Sequence, residues 1–204
     1  MKTLVIVDVQ HDFMPGGSLA VPGADRIIPV INQLQDYFDL IIATQDWHPQ
    51  NHISFASNHA GKNPFEKAII GGIEETLWPD HCVQGSPGAE LYGGMETNNI
   101  AAIFRKGMNP AVDSYSGFYD NHRKVSTGLC GYLKEKGVKK VYFCGLAADI
   151  CVYFTIKDAL KEGFSARLID DASQALNTTE YEKLKKELVV KGVRIINSRD
   201  ITEK

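Results

Sequence analysis

The 204-residue chain has no excess of basic residues: 22 Lys and Arg stand against 25 Asp and Glu, for a formal charge of −3. Binding to a phosphate backbone draws on a surplus of cations, so nucleic acid is not expected as a partner. No apolar run extends beyond a few residues, which argues against a membrane span. The apolar stretch 4–7 is interrupted by Asp8 and is too short for a secretory core. The four cysteines, Cys82, Cys130, Cys144 and Cys151, include no CxxC pair and are too few for a disulfide scaffold at this length. These absences together predict a cytoplasmic protein whose thiols are either buried or chemically used. Internal repeats, low-complexity tracts and sharp composition shifts are lacking too, so the sequence predicts one domain over residues 1–204.

What is present is alternation. Residues 4–9 form a β-branched run bounded by polar residues, as expected of a strand buried on both faces. Runs of the same kind occupy 40–44, 100–104 and 141–144, with shorter ones at 166–169 and 193–196. Between them, helix-period segments lie at 24–38, 126–136, 149–161 and 180–191. Thr179 and Glu182 stand at capping-box spacing, and Gly137, Gly163 and Gly192 follow three of the helices where a C-terminal cap is expected. The pattern predicts an α/β fold with a six-stranded, mostly parallel sheet and helices on both faces. Residues 46–99 break the alternation. They are rich in Gly, Pro, Asn and His, and an irregular insertion of that length is usually functional.

In open parallel sheets, ligands bind beyond the carboxyl ends of the strands. Asp8 and Gln10 end the first strand, Asp46 and His48 follow the second, and Lys106 follows the third. The fourth leads into Gly145-Leu146-Ala147-Ala148-Asp149-Ile150-Cys151. A carboxylate, a lysine and a thiol thus converge on one sheet edge. Cys151 falls in the first turn of a helix, where unpaired N–H groups and a nearby cation are expected to lower a thiol pKa from about 8.5 to below 7. The same N–H groups can stabilise a tetrahedral oxyanion. Asp8 is positioned to act as general base and Lys106 to neutralise it. Cys130 and Cys144 read as inert. Asp46-Trp47-His48, completed by His81, suits a divalent metal of the zinc, iron or manganese type. His11, His59 and His122 read as non-ligands, and His52 is left open. Phe13 beside Asp8 and Trp78 beside His81 are placed to form an apolar slot for a flat ring.

Taken in order, five motifs carry a resemblance: Val7-Asp8-Val9-Gln10-His11-Asp12-Phe13, Thr44-Gln45-Asp46-Trp47-His48-Pro49, Leu77-Trp78-Pro79-Asp80-His81-Cys82-Val83-Gln84-Gly85, Arg105-Lys106-Gly107 and Gly145-Leu146-Ala147-Ala148-Asp149-Ile150-Cys151-Val152. Over nearly its whole length the chain resembles the nicotinamidases (pyrazinamidases) of the isochorismatase-like cysteine hydrolase superfamily. The resemblance implies a catalytic triad of Asp8, Lys106 and Cys151 and an oxyanion hole from the N–H groups of Ala148 and Cys151. It also implies one divalent metal ion, zinc before iron or manganese, on Asp46, His48 and His81. The fourth position falls to Ser54, His52 or water. Phe13, Trp78, Tyr115 and Ala147 would flank a pyridine ring whose nitrogen meets the metal. A non-proline cis peptide is implied at Leu146-Ala147 or Ala147-Ala148. The implied reaction is hydrolysis of nicotinamide to nicotinate and ammonia through a thioester, a step in NAD salvage. Another amidase of the superfamily, acting on a carbamoyl or ureido substrate, would use the same triad. In a metallohydrolase Cys151 would be a bystander, and a non-catalytic metal-binding module would leave the three reactive side chains without a role.

Overall fold

The apolar runs become strands, and the polar residues that end them gather along one edge. The computed structural model describes residues 1–203. In chain order its elements are β1 (Thr3–Val7), α1 (Ile28–Gln35), β2 (Leu40–Asp46), β3 (Lys67–Ile70), β4 (Ile73–Thr76), β5 (Ile100–Lys106), α2 (Leu129–Glu135), β6 (Lys140–Gly145), α3 (Tyr153–Lys161), β7 (Ser165–Ser173), α4 (Thr178–Val190), β8 (Arg194–Ile196) and α5 (Arg199–Thr202). Six strands form one sheet in the order β5-β2-β1-β6-β7-β8, and every neighbouring pair is parallel. The order reverses between β1 and β6, the switch point where such sheets open a crevice.

Period-2 alternation divides the apolar side chains of β1 between two cores. Leu4 and Ile6 pack with Ile28, Ile31 and Leu34 of α1 and with Ile201 of α5. Val5 and Val7 pack on the other face with Leu129 and Leu133 of α2, Ile156 and Ala159 of α3 and Leu188 of α4. Helices therefore cover both faces, as the alternation predicted. No helix among the described residues is long and apolar enough to cross a membrane.

Several local expectations are corrected. β5 is not buried on both faces. It is an edge strand with alternating exposure, and Ile103 faces outward. The segment 46–99 is not wholly irregular, because β3 and β4 pair as an antiparallel hairpin. Its turn is Gly71-Gly72, with φ of 57° and 86°, a two-residue turn signal that the sequence does carry. The cap of α4 is not Thr179 but Asn177, whose side chain accepts the Glu180 N–H at 3.0 Å. Cys151 lies within a single π-helical turn, Ala148–Val152, that runs into α3.

Asn177→Ala removes that cap acceptor and leaves the backbone N–H that Asp149 holds in place. It is expected to lower unfolding free energy by about 1 kcal/mol in urea titrations, with turnover unchanged.

Candidate active site

β1, β2, β5 and the turn after β6 each contribute one reactive group. Lys106, the last residue of β5, is buried with its ammonium 3.0 Å from Asp8 Oδ2 and 2.9 Å from Asp46 Oδ1. It also donates to the Ser114 carbonyl at 2.9 Å and to Cys151 Sγ at 3.5 Å. An ammonium has three N–H donors, and here four acceptors surround it. The proton inventory of the cluster is therefore tight.

Asp8 takes its place through the backbone. It has a left-handed φ of 49°, unusual outside glycine although better tolerated by Asp. Its N–H is held by the Thr44 carbonyl at 3.3 Å, and its Oδ1 accepts the Thr44 hydroxyl at 2.6 Å. Burial raises the Asp8 carboxyl above the usual range. Lys106 opposes this, while the Asp46 charge adds to it. Burial likewise pushes the Cys151 thiol well up, because the pull of Lys106 is countered by Asp8 and Asp46. The sequence expectation of a thiol pKa below 7 is thus corrected. It counted the cation and the helix end but not two carboxylates whose ligand atoms lie within 4.8 Å of the sulfur.

Beside this cluster lies the Asp46, His48 and His81 set, with ligand atoms mutually within 4.8 Å. His48 Nε2 is 3.1 Å and His81 Nε2 3.6 Å from the Asp46 carboxylate. Each ring is oriented by its other nitrogen: His48 Nδ1 meets the Gly107 carbonyl at 2.9 Å, and His81 Nδ1 meets the Pro79 carbonyl at 2.8 Å. Such outer contacts fix the tautomer that leaves Nε2 free to ligate. Asp46 Oδ1 is buried between the Lys106 ammonium at 2.9 Å and His48 Nε2 at 3.1 Å. Burial would raise this carboxyl, but His48 and Lys106 hold it well below the usual range. A buried carboxylate held ionised and two buried imidazoles that turn Nε2 towards it fit a divalent cation of the zinc class.

Gln10 locks Asp46 from both sides of its peptide. The side chain accepts the Asp46 N–H and donates to the Asp46 carbonyl, each at 2.8 Å. Of the two options for a fourth ligand, Ser54 Oγ is engaged with His52 Nδ1 at 2.7 Å. His52 Nε2 is buried without a partner, and burial together with His48 pushes that ring down to about 4, so it is neutral. His59 Nε2 is occupied by the Ile53 carbonyl at 2.6 Å.

Phe13, Trp78, Tyr115 and Ala147 line one narrow cavity with Asp46, His48, His81 and Cys151. Phe13 packs against His81 with ring centroids 5.7 Å apart, and Trp78 against Tyr115 at 6.3 Å. The slot suits a small planar molecule.

A model of the isochorismatase domain matches residues 2–200. The chain belongs to the isochorismatase family. It is 49% identical over 199 residues to a nicotinamidase of Acinetobacter baylyi, covering 97% of this chain and 93% of that protein. A solved nicotinamidase/pyrazinamidase of Acinetobacter baumanii superposes with a TM-score of 0.95 at 46% identity, over 98% of this chain and 97% of that one. A pyrazinamidase of Pyrococcus horikoshii solved in complex with zinc superposes with a TM-score of 0.79 at 38% identity, over 96% and 98%.

In this family member two expectations about the nucleophile turn fail. The Ala148 N–H donates to the Gln174 carbonyl at 2.8 Å, so it is not free to hold an oxyanion. No cis peptide occurs among the described residues, at Leu146-Ala147, Ala147-Ala148 or elsewhere. The chain reverses instead at Gly145, whose φ is 114°. A side chain there would collide with the Val7 backbone, so only glycine fits.

Sequence reasoning missed Thr44 as the partner of Asp8 and the Ser114 carbonyl as a partner of Lys106. Nothing in the local sequence signals either contact.

Lys106→Met is expected to cost about 3–5 kcal/mol at pH 7, because it leaves two buried carboxylates without a cation. Loss of the cation raises both folded-state pKa values, so the folded form binds more protons than the unfolded one near neutrality. The penalty is therefore expected to shrink as pH falls towards 4, where the carboxyls of the unfolded chain begin to take up protons as well. Urea unfolding of both proteins across pH checks this.

Proposed function

We propose that the protein hydrolyses nicotinamide to nicotinate and ammonia, with Cys151 as nucleophile, Asp8 as proton carrier and Lys106 as the cation that holds them together. The carrying observation is the position of the Lys106 ammonium, 3.0 Å from Asp8 and 3.5 Å from the sulfur of Cys151, which itself lines the slot between the aromatic rings. The names of the similar proteins support the same substrate class.

The raised thiol and raised carboxyl make proton transfer part of the attack. Sγ bonds to the carboxamide carbon as Asp8 takes the thiol proton. The tetrahedral oxyanion meets the Cys151 N–H and the Ala147 N–H, which has no backbone partner among the described residues. Asp8 returns its proton to the amine, the C–N bond breaks, and ammonia leaves a thioester. Water then attacks the thioester with its proton going to Asp8. The C–S bond breaks, nicotinate departs, and Asp8 reprotonates the thiolate. The sum is one amide and one water giving one acid and one ammonia.

Asp46, His48 and His81 are the residues to hold a divalent cation, which would supply a Lewis-acid anchor for the ring nitrogen. Phe13, Trp78 and Tyr115 orient the ring so that the carboxamide faces Cys151. Nicotinate formed in this way would enter NAD salvage.

Purified protein is expected to release ammonia from nicotinamide. Cys151→Ala is expected to lose at least about 10³-fold in kcat, the scale seen when a covalent nucleophile is removed. Chelation is expected to abolish turnover and zinc, iron or manganese to restore it. A Cys151→Ala enzyme as active as the wild type would make the thiol a bystander and overturn the mechanism.

A further inference from the structure

We infer that Asp12 is a positioning residue for the metal-binding histidines, acting through the backbone of Cys82. This rests on the metal site of the preceding reading and names a residue outside the ligand set and the triad.

Cys82 follows His81 directly and has a left-handed φ of 47°, a conformation that is strained for a non-glycine residue. Its side chain is fully buried, so the loop cannot relax by turning it to solvent. Both backbone polar groups of Cys82 are engaged. The N–H donates to Asp12 Oδ2 at 2.7 Å, and the carbonyl accepts the His48 N–H at 3.0 Å. The His48 carbonyl in turn accepts the Gln84 N–H at 2.8 Å, forming a short parallel bridge between His48 and Val83. The loops bearing His48 and His81 therefore meet at one strained residue, and the Asp12 carboxylate fixes its geometry.

Asp12 suits the task because no Lys or Arg pairs with its carboxylate among the described residues, which leaves it to the backbone. A carboxylate accepting an N–H makes a shorter and stronger bond than a neutral acceptor. Its other oxygen accepts the Ser18 N–H at 3.4 Å, and its carbonyl accepts the Leu19 N–H at 3.0 Å, so the same residue also sets the wall of the slot that Leu19 forms. Gly88 completes the fit. A Cβ at that position would run into the Asp12 carboxylate, so glycine there keeps the acceptor seated.

The test compares metal-free wild type, Asp12→Ala, Asp12→Asn and Gly88→Ala, measuring the zinc Kd by competition with a chromophoric chelator and the Tm of each metal-free protein. Outer-shell contacts typically change metal affinity by 10–100-fold. Asp12→Ala and Gly88→Ala are expected to weaken zinc by that factor, whereas Asp12→Asn, which keeps an oxygen for the Cys82 N–H, stays within a few fold of wild type. A merely structural role would lower the metal-free Tm and leave the zinc Kd of the folded protein unchanged. If Asp12→Ala does not fold, Gly88→Ala decides, since it displaces the carboxylate without removing it. Wild-type affinity in both variants overturns the inference while the metal site stands. Failure of wild type to bind zinc, iron or manganese overturns both.

Discussion

One buried ammonium lies among two carboxylates, a thiol and a backbone carbonyl, and the architecture of the site follows from that crowding. Removing an ion from water costs several kcal/mol even after relaxation. Lys106, Asp8 and Asp46 are all buried, so none is sustainable without the others. The cluster needs the carboxyl ends of β1, β2 and β5 within about 3 Å of a common point, and a parallel sheet with adjacent strands provides it. Asp8 follows β1, Asp46 ends β2 and Lys106 ends β5, with β2 between the other two. The sheet order thus serves the electrostatics as well as the packing.

The same crowding shapes the chemistry. A cysteine beside a lysine alone would tend towards thiolate, but here the cation is shared, and burial with two carboxylates keeps the proton on sulfur. The raised Asp8 carboxyl holds a proton more readily than an ordinary aspartate, which favours its taking the thiol proton. Two residues with left-handed backbone, Asp8 and Cys82, flank the site. Each has its N–H held by an oxygen from another segment: Thr44 for Asp8 and Asp12 for Cys82. Local strain of this kind persists only where surrounding contacts over-determine it.

Much of this was legible in the chain. The six strands follow from apolar runs, and Asp8, Asp46 and Lys106 follow from being the polar residues at their ends. His81 was identifiable only as one histidine among several, because its distance from the strands is set by a loop path that no periodicity encodes. Gly71-Gly72 signals the β3–β4 hairpin, but a Gly- and Pro-rich background masks strands of four residues. The engagement of Ala148 N–H by Gln174 was illegible, because it depends on how the end of β7 lies against the nucleophile turn. The thiol expectation failed for a related reason. Helix-end and cation effects are local in sequence, but the carboxylates that outweigh them arrive from two other strands.

The most direct test of the shared-cation account is a double-mutant cycle on metal-free protein at pH 7, using Lys106→Met, Asp8→Asn and the pair, with unfolding free energies from urea titration. If Lys106 exists to neutralise Asp8 and Asp46 together, removing the Asp8 charge relieves part of the penalty of losing the lysine. The double variant should then be more stable than additivity allows by about 1–3 kcal/mol. Additivity within about 0.5 kcal/mol would mean that the ammonium and the carboxylate are not energetically coupled, and the account of the site would be wrong at its base.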